Sequence, residues 1–461
     1  MSFRESTFDF YSEGEHRARR AFELYEEGRA VEAAAELDIA LESNPLSGRW
    51  HFDKGLSLDA MGRFEEAIAE YEASLELEAD DAEILNALGV DYTRTGRYDL
   101  AIATFEEIER LYSDFEPCYC NRIITYTEMG RHEMAEEMFY LAQQIKPACA
   151  LCFYNIGNSL FIRGEHQKAI SCWKKTSALE AGHPQINYRI AQALWASGED
   201  GEAREYFLKE LRRNPGDVDV ILSFGLFLID GRHISSAREK FNRVLELEPG
   251  NCQALFWLGE LSFNECDDAG AQSFFRQVVK KDSSKPGPRY RLAELSLRQN
   301  EAKQAYDYLV SEVQLEIEDA GVLVSMATMF LELDDMDYAT NCLLRASDID
   351  CSSADTYYYL GFVCCLKGEL EDAEEFFKHA LEISPDHFNT LKALSGLYLS
   401  IGRLECAYEK VQKAGSIDID DGQLKQLRRA IRTRRILSSI TAFMRCFCFP
   451  KTFWKGKIRR V

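Results

Sequence analysis

"GELEDAEEFFKHALEISP" occupies residues 368–385, and two near-copies, "GRFEEAIAEYEASLELEA" and "GRYDLAIATFEEIERLYS", occupy 62–79 and 96–113. The three starts are separated by multiples of 34 residues, and each copy carries Ala five places after its Gly and an aromatic four places beyond the Ala. Followed outward, the Ala recurs at residues 33, 67, 101, 135, 169, 203, 237, 271, 305, 339, 373 and 407, with no insertion or deletion. The large apolar column beside it reads Leu37, Tyr71, Phe105, Phe139, Trp173, Phe207, Phe241, Phe275, Leu309, Leu343, Phe377 and Val411. A fixed period of this length marks a stacked-repeat architecture.

Helix spacing gives the columns a physical meaning. Twelve places before each Ala except Ala135 stands a small residue, among them Gly55, Gly89, Gly157, Ala191, Gly259 and Gly361, flanked by apolar neighbours on one helix face. Gly62, Gly96, Gly130, Gly164, Gly198, Gly368 and Gly402 fall between two helices, where a C-terminal cap calls for left-handed backbone. The Ala and large apolar columns define a second helix, and Pro45, Pro147, Pro215, Pro249 and Pro385 close units after it. The fourth unit departs, with Arg122 and Ile123 where Leu-Gly is usual, so shifted or looser packing is expected there. Asn300 and Asp334 stand where Gly is usual, and "DSSKPGP" at 282–288 reads as either a bend or an ordinary inter-helix turn.

In period and in all these columns the chain resembles the tetratricopeptide repeat. The resemblance covers twelve units over 14–421, after an N-terminal extension of residues 1–13. It implies an all-α solenoid: antiparallel helix pairs in a right-handed superhelix, with the first helix of each pair lining a concave ligand groove. Places 5, 9 and 12 of each unit then face that groove, which is aromatic and amide-bearing: Phe52, Asn86, Tyr154, Asn158, Phe161, Tyr188, Gln192, Trp195, Phe256, Phe263, Tyr290, Tyr358 and Phe362. Rings give large contact area at low entropic cost, and Asn158 and Gln192 suit a bound peptide backbone. The competing reading is that several of these rings only pack against the neighbouring unit. Members that bind chaperone carboxylates place Lys or Arg here, whereas these places offer Lys392, with Arg49 nearby. A hydrophobic or basic peptide, or an amphipathic helix, fits better.

Charge divides the chain. Its net charge is −23, yet residues 1–421 hold 77 acidic and 42 basic side chains while 422–461 hold 12 basic and no acidic ones. Nucleic-acid binding by the acidic body is disfavoured, because phosphate contacts need Lys and Arg. The segment 422–461 reads as a basic amphipathic helix, Leu424, Leu427 and Ile431 on one face, followed by an aromatic tail. Three roles compete for it. It caps the solenoid end; it lies on an anionic membrane surface through Arg428, Arg429, Arg432, Arg434, Arg435, Phe453 and Trp454; or it folds back on the acidic body as an autoinhibitor. Cys446 and Cys448 beside it are acyl-acceptor candidates.

No signal peptide or apolar run long enough to span a membrane is legible, so a cytoplasmic location, peripheral to a membrane at most, is expected. The 14 cysteines read as reduced thiols filling small core spaces. Cys118, Cys120, Cys149 and Cys152 are the one candidate zinc set, against the plainer reading that Cys118 and Cys152 fill the same small apolar slot in successive units. No phosphate-binding Gly loop, nucleophile elbow or paired-His motif is present, so a non-enzymatic scaffold or adaptor without cofactor or small-molecule substrate is expected.

Overall fold

The computed structural model describes residues 2–78, 80–418 and 420–447, with side chains described between 13 and 437. Among the described residues every regular element is an α-helix, and the chain divides into two compact bodies, 1–237 and 238–461.

The first body stacks helix pairs. They are α1 (Ser2–Glu26) with α2 (Ala30–Ser43), α3 (Gly48–Ala60) with α4 (Phe64–Leu77), and α5 (Ala82–Arg94) with α6 (Tyr98–Leu111). Then follow α7 (Glu116–Glu128) with α8 (His132–Ile145), α9 (Ala150–Ile162) with α10 (His166–Leu179), and α11 (Ile186–Ala196) with α12 (Asp200–Arg213), against which α13 (Val218–Asp230) packs. Helix α14 (Ile234–Leu247) runs across the division. In the second body α15 (Cys252–Asn264) pairs with α16 (Asp268–Lys281), α17 (Pro288–Arg298) with α18 (Ala302–Val313), and α19 (Ala320–Glu332) with α20 (Met336–Ile349). The last pairs are α21 (Ala354–Lys367) with α22 (Leu370–Ile383) and α23 (Phe388–Ser400) with α24 (Leu404–Ile417), and α25 (Gly422–Phe447) follows. Within each body the second helix of one pair meets the first helix of the next, so each body is a solenoid of antiparallel pairs.

The columns read from the sequence are the core. Every Ala of the 34-residue series is fully buried, and the large apolar column is buried with it except at Phe139. A Cβ placed on Gly89 or Gly157 would stand 2.6 Å from the Phe105 ring or 2.5 Å from Trp173. Those glycines are small because a ring lies against the helix backbone. The fourth unit shows what happens otherwise. Ile123 fills the ring's space itself, fully buried. Phe139 is half-buried instead and packs on Phe153 of the next unit, 5.3 Å between ring centres. The neighbouring Arg122, also buried, reaches Glu109 at 2.5 Å.

The turn between paired helices is left-handed throughout. Gly28, Gly62, Gly96, Gly130, Gly164, Gly198, Gly368 and Gly402 adopt it, and so do Arg232, Cys266, Asn300 and Asp334 in the remaining units. The geometry is therefore set by the helix–turn–helix packing and imposed even where a side chain opposes it.

The entry to six of the first helices also has a column. Asp81, Cys149, Asp217, Asn251, Asp319 and Ser353 each accept a backbone N–H from the first turn of the helix that follows. His183 and Lys285 stand at that position in two other units, each followed by a proline, Pro184 and Pro286. There α11 and α17 begin two residues late, after Gln185 and Gly287 with positive φ. Each late start is matched by a buried glutamate 25 residues downstream: Glu210 accepts from Asn187 Nδ2 at 2.9 Å, and Glu312 accepts from the Gly287 backbone N–H. The segment 282–288 is thus the second instance of a turn already used at 180–186.

Candidate functional site

The predicted groove residues lie on the first helices of their pairs, and the structure sorts them. Phe52 and Phe263 are buried: Phe52 packs 5.8 Å from Tyr71, and Phe263 is covered by Arg291 and Arg298, whose guanidinium groups lie 4.7 and 4.1 Å from its ring. These two rings belong to the packing between elements, Phe52 with α4 and Phe263 with α17. Asn86 accepts from Asn121 Nδ2 at 2.9 Å and so is spent on the next unit.

The remaining residues form patches. On α9, Tyr154 stacks on His183 at 4.4 Å, Asn158 is half-buried one turn along, and Phe161 packs 5.2 Å from His166 and 5.8 Å from Trp173. On α11, Gln192 Nε2 donates to Tyr188 Oη at 2.8 Å, and that hydroxyl pairs with Ser223 Oγ at 2.7 Å. Trp195 Nε1 donates to Asp230 Oδ2 at 2.9 Å. The rings of α11 are therefore held by hydrogen bonds to the unit beyond, and those of α9 by ring contacts within their own unit. In the second body, Phe256 lies 5.8 Å from Phe275, and Tyr358 stacks on Phe362, which is 37% exposed. Tyr290 borders a 490 Å³ cavity with Glu294, Arg298, Thr328 and Glu332.

A second column escaped the sequence reading. Side chains one place further along the next first helix reach back: Asn121 to Asn86, Ser223 to Tyr188 and Asp230 to Trp195. Arg94 reaches Asp59 in the same way. All four pairs are 35 residues apart, and a search for complementary polar residues at that spacing would have found them. Arg291 belongs to the same surface. Its guanidinium meets both Glu260 oxygens at 2.7 and 2.8 Å and Glu294 at 3.0 Å. Burial opposes its charge, yet these carboxylates hold its pKa above the ordinary arginine value. The groove-side cations are thus neutralised in place.

The cysteine cluster also differs from expectation. Cys118 is buried apart from it, and burial lifts its thiol to about 12, so it stays a neutral space-filler. The group that converges is Glu116, Cys120, Cys149 and Cys152, whose ligand atoms lie within 4.8 Å of one another. Cys120 and Cys152 are joined as a disulfide, contrary to the expectation of thiols alone, because consecutive first helices bring their Cα atoms to 5.2 Å, within bridging range.

In the C-terminal segment, Leu424 and Ile431 of α25 are buried and Leu427 half-buried against α23 and α24. Arg428 donates to Gln412 at 3.0 Å, Arg434 to the Leu399 carbonyl at 2.9 Å, and Arg435 pairs with Glu405 at 3.0 Å while lying 4.1 Å over Tyr408. Arg429 and Arg432 are exposed. Phe453 and Trp454 lie outside the described residues. Among the described residues no helix is long and apolar enough to cross a membrane.

Paired helices in a strict period, with small residues facing rings, define a helical repeat protein that presents one face of its first helices. Tetratricopeptide-repeat profiles match residues 52–114, 154–218 and 354–387. The chain is a tetratricopeptide-repeat protein. It is 33% identical over 82 residues to calcineurin-binding protein 1 of Arabidopsis thaliana, which covers 17% of this chain and 4% of that protein. It is 42% identical over 67 residues to the protein CTR9 homolog of the same plant, 14% of this chain and 6% of that one. The chain thus spans less than a tenth of the length of either relative. Among solved structures, yeast Tom70 covers 85% of this chain and 96% of its own at 15% identity and a TM-score of 0.46.

Proposed function

We propose that this protein is a non-enzymatic scaffold that holds a peptide or an amphipathic helix against the first-helix face, with α9 and α11 as the principal contact. The observation that carries this reading is the anchored set Tyr154, Asn158, Tyr188, Gln192 and Trp195. Its rings are half-buried and fixed by hydrogen bonds and stacking, so little side-chain entropy is lost on binding. The amide of Asn158 supplies main-chain recognition beside rings that supply area.

The test is affinity capture by the full chain, compared with a variant carrying alanine at Tyr154, Tyr188 and Trp195. Recovery of the partner is expected to fall by at least about tenfold, the effect of losing one strong anchor. Equal recovery by a folded triple variant would remove this part of the face from consideration.

A second reading rests on α25. Arg429 and Arg432 are exposed there, as are Ile436 and Leu437. Basic and apolar groups side by side suit an anionic membrane surface, where each basic residue adds roughly 1 kcal/mol. Vesicles containing phosphatidylserine would sediment the full chain and leave a 1–421 truncation in solution; equal sedimentation would exclude the segment as a membrane address. Leu424 and Ile431 seat the start of this segment on the terminal helix pair, so it is the part beyond them that would meet a vesicle.

A further inference from the structure

Four electron-rich atoms meet where α7 and α9 begin. Glu116 and Cys120 share one face of α7, four residues apart. Cys149 caps α9 and Cys152 follows in its first turn. Cys120 Sγ lies 3.6 Å from Cys149 Sγ. Glu116 Oε1 lies 2.8 Å from Cys120 Sγ and 3.1 Å from Cys152 Sγ. The Cys152 backbone N–H donates to Cys149 Sγ at 3.2 Å. All three sulfurs are buried, and Glu116 is half-buried.

This arrangement is poorly explained by a disulfide alone. A disulfide sulfur carries no proton, so of the three sulfurs around the Glu116 carboxylate only Cys149 can donate to it. Once the bridge is reduced, three sulfurs and a carboxylate oxygen converge in a buried space, and as thiolates they call for a positive charge at their centre. The donor set suits a soft divalent metal: zinc takes thiolates at about 2.3 Å and carboxylate oxygen at about 2.0–2.2 Å, in a tetrahedron whose S···S edges are near 3.8 Å. The Cys120–Cys149 edge, 3.6 Å, is already close to that length. Two ligands three residues apart at a helix start, with a backbone N–H on the first sulfur, form a rigid half-site. Glu116 and Cys120 complete it from the preceding unit.

We propose that Glu116, Cys120, Cys149 and Cys152 form a tetrahedral site for a thiophilic divalent cation of the zinc class, tying the first helices of two successive repeats together. Cys118, two residues from Cys120, takes no part. Metal and disulfide are alternative states of the same residues, since a sulfur committed to the disulfide is no longer a thiolate ligand. With hydrogen peroxide as oxidant, the Cys120 and Cys152 thiols give up two protons and two electrons; the S–S bond forms, the peroxide O–O bond breaks, and two waters leave.

The full chain would be purified under a phosphine reductant and its zinc measured by mass spectrometry, alongside Cys149→Ser, Glu116→Gln and Cys118→Ser. Cys149→Ser leaves the Cys120–Cys152 pair intact, so it separates the metal from the bridge. About one zinc per chain is expected for the wild type and Cys118→Ser. Affinity should be weaker by about 100-fold or more in Cys149→Ser and Glu116→Gln. Cobalt(II) added to the reduced chain should give the intense near-ultraviolet absorption of thiolate-to-metal charge transfer, and peroxide should release the metal. Should Cys149→Ser fail to fold, the cobalt spectrum of the wild type and the Glu116→Gln titration decide. Reduced wild type without zinc and without a thiolate–cobalt band would overturn the proposal and leave the bridge as a structural staple. Equal zinc in wild type and Cys149→Ser would also overturn it.

Discussion

Gly157 shows how one atom sets the spacing of a helix pair. The Trp173 ring lies against the Gly157 backbone, and its Nε1 donates to the Tyr154 carbonyl at 3.2 Å. A methyl at 157 must displace the indole and lengthen that bond. Gly157→Ala is expected to lower stability by about 1–3 kcal/mol, the usual cost of overpacking, as read from urea unfolding. Asp91 works through charge. It is buried beside Asp59, and burial followed by that neighbour raises its pKa to about 6, although Arg94 at 3.1 Å pulls the other way. In the unfolded chain its proton leaves near ~3.9. Between those values the folded chain binds more protons, so this group's contribution is complete below about pH 4 and is lost as the pH rises through about 6. A melting-temperature series from pH 4 to 7 should show this slope in the wild type and a flatter one in Asp91→Asn; parallel curves would contradict the assignment.

At the scale of the element, two designs recur among the starts of the first helices. At Asp81, Cys149, Asp217, Asn251, Asp319 and Ser353 the side chain before the first helix accepts from first-turn N–H groups. Where His183 or Lys285 precedes a proline, no such cap exists, and the helix waits two residues. In the second of these units, Glu312 takes over from the far end of the pair, fully buried and accepting from Gly287 N–H. Burial raises its pKa, while the backbone N–H groups of Gly287, Arg289 and Tyr290 oppose that rise. Glu312→Ala would leave donors at the start of α17 unpaired and is expected to cost about 1–3 kcal/mol. Glu312→Gln, which keeps the acceptor, should cost less. Denaturant midpoints of the two variants check this ordering, and equal midpoints would argue that the carboxylate only fills space. The segment 282–288 looked irregular in sequence because its compensating residue lies 25 positions away.

At the scale of the molecule, a repeat protein is assembled from contacts between neighbours, and its stability approximates a sum over units and their interfaces. That is why so much was legible in one dimension. The pairing of helices, the Ala core and the Gly turns follow from a period of 34 and from the small size of Ala and Gly. The left-handed turn could not be read at Arg232 or Cys266, whose identities argue against it; neighbouring packing imposes it there. The candidate face was legible as a set of columns, but which residues remain available was not. Phe52 and Phe263 look like Tyr154 and Trp195 in sequence, and only the neighbours packed on them, Tyr71 for the one and Arg291 and Arg298 for the other, bury them. The column one place further along, and the replacement of Cys118 by Glu116 in the cysteine cluster, depend on the rotation between successive first helices. The sequence by itself determined the helices, their pairing and the order of stacking, because these rest on contacts at fixed separations along the chain. The tertiary structure alone decided which side chains meet across that stack, because the rotation between neighbouring helices selects one ring, one carboxylate or one sulfur over the next.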